Sequence, residues 1–207
     1  LERVRFLAIF SSNLDDFFMI RVAATKLKIE SGASAPNASG LTPVALLEEI
    51  TQKVSELIKR KVECLHNSIK PGLVKADIHM VHWNELTQAE RSYIGEIFDS
   101  QIFPVLTPLA VDPSHLFPYI SGLSLSLAVI VKHPESGEEF FARVKVPSVI
   151  ARFISTQKSI KTRFIALEEI IAAHLTELFP GMIIVDHYAF RLTRNEDLDL
   201  EEEDSEN

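Results

Sequence analysis

Leu123-Ser124-Leu125-Ser126-Leu127-Ala128-Val129-Ile130-Val131-Lys132-His133-Pro134-Glu135-Ser136-Gly137-Glu138-Glu139-Phe140-Phe141-Ala142-Arg143-Val144-Lys145-Val146 decides the fold class. Residues 123–132 are apolar or alternating and rich in β-forming side chains, and residues 139–146 alternate again. His133 to Glu138 between them has turn composition, so the stretch predicts a β-hairpin. Downstream, residues 167–178 carry an amphipathic helical pattern, Pro180-Gly181 stops it, and residues 182–193 predict a third strand. The composition changes near Pro104, with further prolines at 108, 113 and 118. Residues 104–207 therefore read as α+β.

Upstream the apolar period switches to that of a helix. Thr42-Pro43 pairs a capping residue with a proline at the first helical position. Leu46, Leu47, Ile50, Val54, Leu57, Ile58, Val62 and Leu65 then keep one apolar stripe to about Ile69, where Pro71-Gly72 is expected to end it. Thr87-Gln88-Ala89-Glu90 is a capping box opening a helix to about Gln101. Residues 1–31 are helical by spacing, interrupted by Ser11-Ser12-Asn13, which are residue types that cap helices. Two arrangements fit. One has helices over 1–10 and 14–31 joined by a polar corner, with Asp15 and Asp16 in a first turn; the other is one long helix with a polar patch. Residues 32–41 form a loop by composition. Residues 1–103 thus read as a helical bundle, and the fold class as α+β.

The bulk numbers narrow the function. The chain has 207 residues, 46% hydrophobic and 24% charged, which is enough to bury a core. A net charge of −8 argues against a general nucleic-acid surface but leaves room for a local basic pocket. Cys64 is the one cysteine, so no internal disulfide forms, which fits a reducing, cytoplasmic compartment. No apolar run is long enough for a membrane span. The sequence begins at Leu1 and stops in an acidic run from Glu196, which reads as a solvated helix or as disorder. Both ends look cut.

Chemistry-bearing motifs are few. Ser11 to Phe18 offers hydroxyls, a carboxamide and, if a helix starts there, free backbone N–H groups. These suit a nucleotide base or phosphate, but from the residues alone a simple helix cap is the favoured reading. His79 and His82, three apart, could share a helix face as metal ligands, but no nearby acidic or cysteine cluster completes a site. Asp186 and His187 alternate on a strand and point to opposite faces. Asp15 and Asp16, adjacent on a helix, make a poor pair. Phe140-Phe141 and Phe117-Pro118-Tyr119 read as core or interface anchors. No phosphate loop, dinucleotide fingerprint or nucleophile elbow occurs.

Three segments carry a resemblance to a known family: Glu2 to Val22 with Ser11-Ser12-Asn13-Leu14-Asp15-Asp16-Phe17-Phe18 at its centre, Pro104 to Pro113 continuing through Phe117-Pro118-Tyr119-Ile120, and Phe141-Ala142-Arg143-Val144-Lys145-Val146-Pro147. In these segments, in order, the chain resembles polyphosphate kinases that work through a phosphohistidine. The resemblance implies reversible transfer of the ATP γ-phosphate to polyphosphate, with Mg²⁺ held by residues outside this chain. It implies a helical N-terminal domain over 1–103 and, over 104–207, part of a head domain used in dimerisation. The catalytic domains would lie beyond Asn207, so no catalytic residue is assigned here and the fragment alone is expected to be inactive. One residue carries over: Asn13, which the family places at the adenine end of ATP. Asp16 stands where the family more often has Glu. Membrane association is known in the family, though no anchor is visible here. The competing expectation is a non-enzymatic dimerisation module.

Overall fold

The computed structural model describes residues 2–111, 120–158 and 162–195, of Ala110 and Val111 the backbone only. The chain forms two compact units, Leu1–Leu73 with Thr193–Asn207, and Val74–Leu192.

The first unit is a helical hairpin. Its first arm is unbroken: α1 (Glu2–Phe17), a π turn (Phe18–Val22) and α2 (Ala23–Glu30). Of the two arrangements open for residues 1–31, the single long helix is the one formed. The Ser11 hydroxyl shows why: it donates to the Leu7 carbonyl one turn back, 2.8 Å away, and so is satisfied without a break. Asp15 and Asp16 are consequently mid-helix, not in a first turn. Gly32, at φ +74°, ends the arm. Its N–H bonds Ile29 O and that of Ala33 bonds Lys28 O, the pairing that a left-handed residue after a helix permits.

The second arm opens as expected. Thr42 Oγ1 accepts from Ala45 N at 3.3 Å, with Pro43 at the first helical position of α3 (Pro43–Cys64). Its end differs from expectation: the helix passes through a second π turn (Leu65–Ile69) into α4 (Lys70–Lys75). Pro71-Gly72 does not stop it. A π turn adds one residue to the ladder, and the Lys70 N–H reaches back to Leu65 O. The hydrogen-bond register is already stepped where Pro71 has no N–H to give. The arms run antiparallel: Arg3 Nη1 donates to Ser68 Oγ, and Lys61 Nζ to Ser11 Oγ at 2.7 Å.

The second unit is α+β. The expected hairpin forms as β3 (Leu125–Lys132) and β4 (Glu139–Lys145), with Lys132 opposite Glu139. Gly137, at φ +73°, turns the connection, and its N–H donates to His133 O. The third strand forms as β7 (Ile183–Arg191), antiparallel to β3, and β2 (Pro108–Val111), which the sequence reading did not anticipate, adds to β4. The sheet order is β2-β4-β3-β7. A small second sheet joins β1 (His79–Met80), β6 (Arg163–Ala166) and β5 (Phe153–Ser155) in that order. The helix expected over 167–178 is interrupted at His174, leaving α6 (Leu167–Ala173) and α7 (Leu175–Leu178).

The capping-box helix α5 (Gln88–Ile97) and the π turn Phe98–Ile102 feed Ile94, Phe98 and Ile102 into one core with Leu127, Val129 and Val144 of the sheet and Ile170 and Ile171 of α6. All eight are essentially inaccessible to water. The unit therefore starts at Val74, well before the composition change at Pro104, because a helix and the sheet it covers share their buried face.

Candidate functional site

α1 presents an unusual face. Asn13 lies seven residues from both Phe6 and Ile20 and four from Ile9, and seven residues is almost two helical turns. Those three apolar side chains are 66%, 53% and 47% exposed. Toward the second arm, Asn13 borders a groove of about 340 Å³ lined by Phe10, Leu14 and Phe17 of α1 and by Ile50, Val54 and Leu57 of α3. Lys53 supplies its one cation and pairs with Glu56 at 3.4 Å, both in solvent. Such a pair is screened and leaves the lysine available.

The Asn13 carboxamide is exposed and makes no hydrogen bond with any described residue. Ser11, two residues before it, is held by Leu7 and Lys61. The free helix-start N–H groups considered from the sequence do not exist, since the backbone here is mid-helix. The simple-cap reading fails for the same reason. What remains is a carboxamide between two apolar surfaces, able to donate and accept in one plane.

Among the described residues the histidines do not assemble a metal centre. His79 lies on β1 beside Asp77 (3.2 Å), and His82 precedes the 3₁₀ turn Trp83–Glu85 and meets Glu169 (2.8 Å), so they share no helix face. No group of three or more metal-binding side chains occurs among the described residues. His174 stacks on Phe98 with centroids 4.0 Å apart. Asp186 and His187 point to opposite faces as expected. Asp186 instead accepts from Tyr188 two residues on, which lowers the carboxyl pKa and raises that of the phenol. Phe140 packs against the core. Phe117-Pro118-Tyr119 and the acidic run from Glu196 lie outside the described residues.

The most perturbed acid is Glu90, where sequence reading saw only a cap. Burial alone would raise its pKa. The Thr87 N–H, the Thr156 hydroxyl (2.7 Å), Arg163 Nε (2.8 Å) and the Thr87 hydroxyl outweigh that and bring it down to about 2. Every acceptor position is used, so this carboxylate ties α5 to the small sheet and offers nothing to a substrate.

A helical hairpin with an exposed carboxamide, followed by a separately cored α+β unit, defines the class: a modular chain of two compact units. The family follows from sequence. Residues 1–81 match the polyphosphate kinase N-terminal domain and residues 89–207 the polyphosphate kinase middle domain. This chain belongs to the polyphosphate kinase family. It is 53% identical over 207 residues to the polyphosphate kinase of Streptomyces coelicolor and 48% identical over 210 residues to that of Mycolicibacterium gilvum. It spans 27% and 29% of those relatives' lengths, with all of this chain aligned. The crystal structure of polyphosphate kinase from Porphyromonas gingivalis superposes with a TM-score of 0.80 at 26% identity, over 94% of this chain and 29% of that one. No helix of the described residues is long and apolar enough to cross a membrane.

Proposed function

We propose that this chain is the nucleotide-positioning and self-associating part of a polyphosphate kinase, and that Asn13 contacts the adenine end of ATP. One observation carries the reading: Asn13 is an exposed, unpartnered carboxamide flanked by apolar side chains. Adenine offers a donor and an acceptor side by side, which one carboxamide meets in a bidentate way, while apolar neighbours cover the faces of the base. The enzyme's reaction would be reversible transfer of the ATP γ-phosphate to polyphosphate through a phosphohistidine. Mg²⁺ would spread the charge of the transferring group. We assign neither the histidine nor the magnesium ligands to this chain, and we take residues 104–207 as part of the domain through which two copies associate. The lone Cys64 fits a cytoplasmic setting.

The test is Asn13→Ala in a full-length enzyme carrying this segment. The expected result is an ATP KM raised about tenfold, the cost of one lost bidentate contact, with the polyphosphate KM unchanged. Unaltered ATP KM and kcat would overturn the assignment. The 207-residue chain by itself is expected to show no ATP-to-polyphosphate turnover above a heat-killed control.

A further inference from the structure

The hairpin is electrically polarised along its axis. The antiparallel pairing brings residues 2–11 alongside residues 59–70, as the Arg3–Ser68 and Ser11–Lys61 contacts record. That end carries Arg3, Arg5, Lys59, Arg60, Lys61 and Lys70 against only Glu2 and Glu63. The remainder, residues 12–58, has the opposite balance, four cations to six acids, in a chain of net charge −8. None of the six cations makes an ion pair with a described residue; Arg3 and Lys61 donate only to neutral serines. Five of them are exposed and Lys61 is half-buried. Twelve helical residues span about 18 Å, so all six lie within a short length of one helix pair.

Cations that no described residue pairs, held this close together, repel one another, and a polyanion relieves that repulsion while releasing counterions. We propose that the basic end of the hairpin is a docking site for the inorganic phosphate chain itself, separate from Asn13. A phosphate chain suits it better than nucleic acid: it presents dense charge with no bases to place, and the basic end offers cations spread around two paired helices. The inference rests on polyphosphate being a substrate of the whole enzyme.

The experiment titrates the 207-residue chain with inorganic polyphosphate at several salt concentrations, beside oligothymidylate of equal charge. Tight binding is expected, with log Kd rising against log salt at a slope of about 4, from roughly 0.7 per neutralised charge on a single strand. Arg5→Gln/Lys59→Gln/Arg60→Gln should weaken it at least tenfold and cut the slope by about 2. Arg21→Gln/Lys26→Gln/Lys28→Gln, at the other end, should leave it unchanged. Amide NMR of the unsubstituted chain gives a second readout, with shifts confined to residues 2–11 and 59–70 if the site is correct. Shifts elsewhere, equal loss in both triple variants, or equal affinity for oligothymidylate would overturn the proposal. ATP binding and its dependence on Asn13 are measured separately, so failure here leaves the nucleotide reading standing, and the reverse holds too.

Discussion

The two units stabilise themselves by different means. The α+β unit buries a continuous core in which Ile94, Phe98, Ile102, Val129, Val144, Ile170 and Ile171 have no solvent exposure. The hairpin buries Val22, Thr25, Pro43 and Ile69, and none of α1. Two helices can bury only one stripe each against the other, so apolar residues on their remaining faces stay in water. A sheet covered by α5 and α6 removes whole faces from water. The lesson is one of roles. The well-cored unit tolerates little change in its interior, whereas the open unit leaves apolar and polar side chains, Asn13 among them, exposed.

The sharpest way to break that contrast is to hollow each unit in turn. Phe98→Ala should cost about 3–5 kcal/mol in urea denaturation of the second unit. Leu57→Ala in the half-buried groove of the hairpin should cost about 1 kcal/mol. Equal costs would dissolve the distinction.

The buried carboxylate gives a comparable effect through charge. Glu90→Gln should lose on the order of 3 kcal/mol near neutral pH, the linkage equivalent of a pKa lowered from 4.5 to about 2. The sign follows from the depressed folded-state pKa. The Glu90 contribution is fully present above about 4.5 and is lost as pH falls through that value toward about 2. The gap between wild type and Glu90→Gln should therefore be flat from pH 7 to about 5 and close below it. A gap independent of pH down to about 2 would mean that the carboxylate's charge is not what holds Thr156 and Arg163.

Smaller effects sit at the surface. Arg152 Nε donates to Glu168 at 3.1 Å, with Arg152 54% exposed, so Arg152→Gln should cost under about 1 kcal/mol and less still in high salt. Asn13→Ala should leave stability within about 0.5 kcal/mol, since the side chain holds nothing in the fold. A larger loss would make Asn13 structural and remove the ground for its proposed role.

Residue patterning settled much of this molecule. The alternation of 123–146 was enough for the β3–β4 hairpin because strand faces follow directly from a two-residue period. Thr42-Pro43 and Thr87 with Glu90 were enough for two helix starts, because a cap is made by residues three apart. Asn13 was singled out by the family resemblance; the pattern around it reads only as residues that cap helices. Four features were decided only in the folded structure. Ser11-Ser12-Asn13 stays helical because Ser11 bonds Leu7 and receives Lys61 from fifty residues away. Pro71-Gly72 is carried through because a π turn precedes it. Glu90 gains Thr156 and Arg163, and residues 2–11 gain their pairing with residues 59–70, by chain crossings that no local pattern encodes. Local backbone preference acts over three or four residues and can be read from the chain. The partners that override it, or that turn scattered charges into a surface, are chosen only when distant segments pack.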